Sequence, residues 1–185
     1  ILSILFPDIK AEFGLSDTQL GLLGGLSFAL FYATMGLPIA RLSDQYSRKR
    51  IIVASLTIFS LMTAFSGLAA GFISLLLLRI GVGIGEAGVN PASHSIIADY
   101  FPPRRRAFAM AILMLGGSLG MMLGFVGGGM IAEAYNWRIA LISVGAPGLL
   151  LAVVMARLLR EPARGTFETE TPPPPPPILT TAATM

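Results

Sequence analysis

The sequence predicts an all-α membrane protein, and three observations carry that prediction. Hydrophobic residues make up 54% of the 185-residue chain and charged residues only 12%, about half the share of a soluble domain. Charge-free runs long enough to cross a bilayer recur along the chain. The basic residues collect in alternate connecting segments.

The elements follow in order. Residues 1–6 are an apolar stub without a basic flank or small-residue cleavage site, which argues against a signal peptide. The stub is expected to be the far end of a truncated first helix. Positions 18–40 carry no charge, which predicts a span over about 20–40. Positions 51–78 are again uncharged but too long for one helix, and Ser66, Gly67 and Gly71 predict a tight turn inside them. Spans are therefore expected at about 51–69 and 72–98, the latter carrying Arg79 and Glu86. The Gly-rich run 107–132 and the run 139–158 complete five whole helices and one fragment. Residues 162–185 include six consecutive prolines, 172–177. Such a segment favours polyproline II and builds no core, so it is expected to be a cytoplasmic linker or a fragment end after a half-bundle over 1–161.

Ten of the thirteen Lys and Arg residues lie in the loops 41–50, 99–106 and 157–164. Lys10 and Arg138 fall on the other side, and Arg79 sits within a span. This asymmetry predicts cytoplasmic basic loops in a multi-pass protein of the cytoplasmic (inner) membrane. It also explains the net charge of +3 as topology, with no nucleic-acid partner. The chain has no cysteine, and no metal site or cofactor is expected.

Two pattern matches lack the context their chemistry needs. Gly83, Gly85 and Gly88 spell the dinucleotide fingerprint, but inside an apolar span rather than after a strand. Gly116, Ser118 and Gly120 spell the hydrolase elbow, without the strand-turn-helix setting. The chain is therefore not expected to be an enzyme. Gly116, Gly120, Gly124 and Gly128 form a ladder at spacing four, which predicts close helix packing and a smooth face that can slide.

Arg79 and Glu86 are seven residues apart, about two helical turns, and project from one face. Charges at the centre of a membrane helix cost roughly 2.5–3.5 kcal/mol or more each. They need a bundle interior, a partner or a wet cavity. Either they lock helices as a buried ion pair, or Glu86 exchanges protons while Arg79 holds an anionic group. Asn90 joins them in the candidate substrate-binding set, and Asn90-Pro91 is expected to loosen the helix. His94 is the sole histidine, read as structural or as a minor participant in transport. Asp44 stands among Arg48, Lys49 and Arg50. An acid at a helix C-terminus opposes the macrodipole, which predicts a specific cationic partner.

The stretch Ala40-Arg41-Leu42-Ser43-Asp44-Gln45-Tyr46-Ser47-Arg48-Lys49-Arg50 resembles the helix 2–3 loop signature of the major facilitator superfamily, with Ala40 and Ser47 replacing glycines. Arg79, Gly83 and Pro91 resemble its helix 4 signature. Gly120, Gly124, Gly128 and Gly129 resemble the helix 5 signature of its antiporters, with Phe125 where a proline is usual. Gly14-Leu15-Ser16-Asp17-Thr18-Gln19, Gly83-Ile84-Gly85-Glu86-Ala87, Ile97-Ala98-Asp99-Tyr100-Phe101-Pro102 and Asn136-Trp137-Arg138 are similar to the spinster-like branch.

The resemblance implies the N-terminal six-helix half of a twelve-helix fold, with substrate near the midplane between two halves. It implies that Arg79 and Glu86 line the cavity, and that Asp44, Arg48, Lys49 and Arg50 belong to a cytoplasmic charge lock of the outward-facing state. The acid that helix 1 contributes to proton coupling in the family would precede Ile1. The expected function is secondary active transport of a small amphipathic or organic-anion solute, proton-coupled through Glu86, by alternating access. The expected partners are that solute, protons, the lipid bilayer and a C-terminal six-helix half. The alternative is a half-size membrane scaffold or assembly module without transport activity of its own.

Overall fold

The computed structural model describes residues 1–167, and the Pro-rich segment from residue 168 onward lies outside the described residues. Every regular element among the described residues is helical. A 3-10 turn at Leu2–Leu5 leads into α1 (Phe6–Phe13). Next come α2 (Asp17–Gly21), a π-helical turn (Leu22–Leu26) and α3 (Ser27–Gln45), which join into one rod. Then follow α4 (Arg48–Ser66), α5 (Phe72–Ala87) and α6 (Val89–Tyr100). The last two are α7 (Pro103–Ala134) and α8 (Trp137–Leu158). Counting α2–α3 and α5–α6 as single runs, five are long and apolar enough to cross a membrane.

Local chemistry sets the boundaries. The first stub does not stop near residue 6; it stays helical to Phe13, where Gly14 takes a left-handed φ of 62° and closes the helix. Ser16 and Gln19 form a reciprocal capping box that starts α2. The 29-residue rod Asp17–Gln45 is about 43 Å long at about 1.5 Å per residue. Its last turn therefore stands clear of an apolar layer about 30 Å thick. Arg41 and Asp44 are thus helical, and only Tyr46 and Ser47 connect α3 to α4. The turn after Ser66 falls where it was expected: Ser74 Oγ accepts from the amides of Ala70 and Gly71 at 3.0 and 3.1 Å. The run over 72–98 is two helices, broken at Gly88. Pro91 has no N–H to give to the carbonyl of Ala87, four residues earlier, so the break comes a turn before the Asn90-Pro91 pair.

α4 is the hub and packs against both α5 and α8. A Cβ on Gly85 would lie 2.6 Å from the Phe59 amide nitrogen, and one on Gly145 would lie 2.7 Å from that of Ala64. Only glycine allows backbones to approach so closely. Apart from Ile52 and the terminal Arg48, what α4 buries is small and polar, namely Ser55, Ser60, Thr63 and Ser66, while Ile58 and Phe65 are exposed. Where the surroundings are as apolar as leucine, helices associate by fit and not by hiding apolar surface.

The α7 ladder departs from expectation. Gly116, Gly120 and Gly124 face open space, and only Gly128 is packed, against Ile1 and Val144. Close packing is therefore realised at one of the four positions among the described residues. The reason is that α7 lies at the rim of the bundle, with Leu119, Met122 and Leu123 exposed beside the glycines.

Candidate functional site

A cavity of about 230 Å³ opens between the first three residues, the π-helical turn, α3, α4, α5 and α8. Arg79 and Glu86 both line it, with Phe28, Phe59 and Val82 among the apolar wall residues. Thr63 and Ser66 also reach the wall, but their hydroxyls donate to the carbonyls of Phe59 and Met62 at 2.8 and 2.7 Å. Besides these two hydroxyls, the polar side chains of the wall are Arg79, Glu86 and Ser3. Thr63 and Ser66 are bound back onto their own helix.

Arg79 and Glu86 share the cavity but form no ion pair within 4.0 Å among the described residues. Two turns separate them by about 10.5 Å along the axis. The Arg79 side chain instead crosses to the neighbouring rod. Its Nε donates to the Leu23 carbonyl at 3.3 Å, and its guanidinium lies 5.3 Å from the centre of the Phe28 ring. Arg79 thus bridges α5 to the neighbouring rod, and what is absent among the described residues is a direct pairing with Glu86. Asn90 does not line the cavity; its Nδ2 donates to the Tyr32 hydroxyl at 3.1 Å. Tyr32 in turn stacks on Phe28, with ring centres 5.7 Å apart. His94 is on α6 and outside the cavity lining.

The three basic segments meet at one end of the bundle. Arg48 is buried and joins the carboxylate of Asp99, while its Nε lies 3.0 Å from Glu161 Oε1. It also donates to Ser95 Oγ at 3.1 Å and to the Pro162 carbonyl at 3.0 Å. Burial would raise the Glu161 carboxyl. Hydrogen bonds from the Ser47 hydroxyl, the Lys49 amide and the Arg48 side chain and amide outweigh burial and hold the pKa at about 2.

Asp44 does not supply the acid here. Its carboxylate has no ion pair among the described residues, and Arg164 donates to its backbone carbonyl and to those of Ser43 and Tyr46. The reason is geometric: Arg164 caps the free carbonyls at the end of α3. The side chains of Lys49 and Arg50 likewise form no ion pair among the described residues. Sequence reasoning missed Asp99, Glu161 and Arg164 as partners. The available signal was the pair of acids stranded in two basic loops.

The opposite end carries a second cluster. Arg138 donates to Glu12 at 2.6 Å and to the carbonyls of Gly67 and Ala69 at 3.1 and 2.7 Å. Its guanidinium lies over Trp137 and Phe13, and the Trp137 indole donates to Glu12 at 2.6 Å.

The sequence profile described as Major Facilitator Superfamily matches residues 1–183. Over 150 residues the chain is 36% identical to an MFS-type efflux pump of Mycolicibacterium smegmatis, covering 81% of this chain and 35% of the relative. Over 167 residues it is 32% identical to a hexuronate transporter of Bacillus subtilis, covering 90% of this chain and 39% of that protein. The crystal structure of a bacterial homologue of the human lysosomal transporter spinster, inward-facing and occupied, superposes with a TM-score of 0.77. It is 40% identical, and the match covers 91% of this chain and 42% of that one. The chain thus spans less than half the length of these relatives. With its membrane-spanning helices, its Arg79–Glu86 cavity and its spinster-like segments, the chain belongs to the major facilitator superfamily.

Proposed function

We propose that this chain is the N-terminal half of a proton-coupled secondary transporter for a small organic anion. The observation that carries the reading is one cavity lined by an arginine and a carboxylate that form no ion pair with each other among the described residues. Arg79 binds the anionic group of the substrate, and Glu86 takes up and releases the proton. Asn90, one turn beyond Glu86, belongs to the same substrate path. The hexuronate relative supports an anionic substrate. The second six-helix half closes the cavity from the other side and packs on the open glycine face of Gly116, Gly120 and Gly124.

Transport proceeds by alternating access in the inner membrane, with the basic end cytoplasmic. Asp44, Arg48, Lys49 and Arg50 act in the charge lock that holds the outward-facing state. Arg48 is its anchored member, because its partners Asp99 and Glu161 belong to the same half.

The test is uptake of labelled glucuronate into proteoliposomes containing the full-length polypeptide. Glu86→Gln should transport without response to an imposed pH gradient, and full pH-driven uptake by that variant overturns the coupling role. Arg79→Ala should abolish saturable binding, and unchanged affinity removes Arg79 from the substrate site.

A further inference from the structure

The π-helical turn at Leu22–Leu26 has no role in the reading so far. In an unbroken α-helix the amide of Ser27 would bond to the carbonyl of Leu23, four residues earlier. Here that amide reaches the Leu22 carbonyl instead. The Ser27 hydroxyl donates to the same oxygen at 2.6 Å. Leu23 thereby loses the donor it would have had, and Arg79 Nε takes its place at 3.3 Å. Leu23 is fully buried, so its carbonyl has no water to fall back on. Five residues on, Phe28 sets its ring under the same guanidinium, 5.3 Å from its centre. Tyr32 stacks on Phe28 from the next turn. Gly24 lets the Phe6 ring lie close against the turn, since a Cβ there would lie 2.6 Å from it.

From this geometry we infer that the π turn and Phe28 position Arg79 for its anion. Ser27 frees the Leu23 carbonyl, that carbonyl fixes Nε, and Phe28 supports the guanidinium plane. The two terminal nitrogens of Arg79 make no hydrogen bond among the described residues and stay available as a fork. A guanidinium held at Nε and on one face presents two parallel N–H groups, which suits a carboxylate bound through both oxygens. Single π turns inside α-helices recur at functional sites, and here the displaced carbonyl has a specific donor. Phe28 and Ser27 are positioning residues, because they act through Arg79. The inference rests on Arg79 being the anion-binding group proposed above.

The experiment measures glucuronate and benzoate uptake by the full-length polypeptide in proteoliposomes, alongside thermal stabilisation by each acid. Phe28→Leu should raise KM by about 30-fold, the scale of one desolvated cation–π contact, with kcat and the pH profile unchanged. Phe28→Tyr should stay within about twofold of the parent, because its ring offers the same face. Ser27→Ala should also raise KM. Arg79→Lys, which keeps the charge but loses the fork, should bind as poorly as Arg79→Ala. If Phe28→Leu fails to accumulate in the membrane, Ser27→Ala and Arg79→Lys decide the question.

Parent-like KM in Ser27→Ala and Arg79→Lys, with binding lost in Arg79→Ala, overturns the positioning role and leaves the anion-transport reading standing. Binding of both acids that does not depend on Arg79, or no binding of either, overturns the reading and this inference together.

Discussion

An arginine in the first turn of a helix ties three segments together at each end of the bundle, and the two ends are built on opposite terms. At the basic end Arg48 opens α4 and is 1% exposed, held by two carboxylates, a hydroxyl and two carbonyls. At the other end Arg138 lies in the first turn of α8 with its side chain 30% exposed. It shares its charge among one carboxylate, two carbonyls and two aromatic faces. Both positions oppose the helix macrodipole, which disfavours a cation at an N-terminus, so each arginine depends on its tertiary partners. The buried cluster is all-or-none, because removing one member strands a charge away from water. The aromatic cluster is graded, because a lost contact can be replaced in part by solvent.

The largest break in this comparison is Arg48→Met. It leaves the Asp99 side chain, only 8% exposed, without its cation and should cost about 3–5 kcal/mol. Thermal unfolding of the full-length polypeptide in detergent measures it. An unchanged midpoint would mean that the buried cluster is not all-or-none. Arg138→Lys should cost less, about 1–2 kcal/mol, because the charge survives while the fork and the aromatic stacking are lost. The same melt reads it, and a loss as large as that of Arg48→Met would erase the contrast.

Acid sharpens the contrast without mutation. Glu161 has a folded pKa of about 2, below the ordinary carboxyl value of 4.5. Its contribution is therefore complete above about pH 4.5 and lost as pH falls toward 2. Limited proteolysis near residues 160–165 should accelerate over that window, and Glu161→Gln should flatten the response. The smallest expected effect is at the pair of Lys10 and Asp17, whose side chains are 46% and 88% exposed. Lys10→Ala should shift stability by less than about 0.5 kcal/mol.

The contrast between α5–α6 and α7 shows what a linear pattern can conceal. Both carry repeated glycines. Those of α5 meet α3 and α4 at sub-contact distances, whereas three of the four in the α7 ladder meet nothing within the described residues. Spacing identifies a face that can pack closely, but it does not name the partner. The position of the α5–α6 break was half legible, since Pro91 was visible and the displaced hydrogen bond one turn earlier was not. Leu23 carried no signal at all, because its role belongs to a backbone carbonyl and every residue has one.

Helix number, the turn after Ser66, and the grouping of ten basic residues on one side were all determined by the sequence alone. Transfer between water and hydrocarbon depends on local composition, which can be read without knowing a single contact. That Arg79 and Glu86 need an enclosure was legible for the same reason, since charge inside an apolar run demands a bundle interior, a partner or a wet cavity, and the tertiary structure decided that they share one cavity. Only the tertiary structure decided who partners whom. Arg79 leans on Leu23 and Phe28 and not on Glu86, and Arg48 is held by Asp99 and Glu161 while Asp44 stays out of the cluster. A long side chain bonds to whichever polar group the packing of neighbouring helices brings within about 3 Å, and that choice is made by the geometry between helices, to which spacing along one helix is blind.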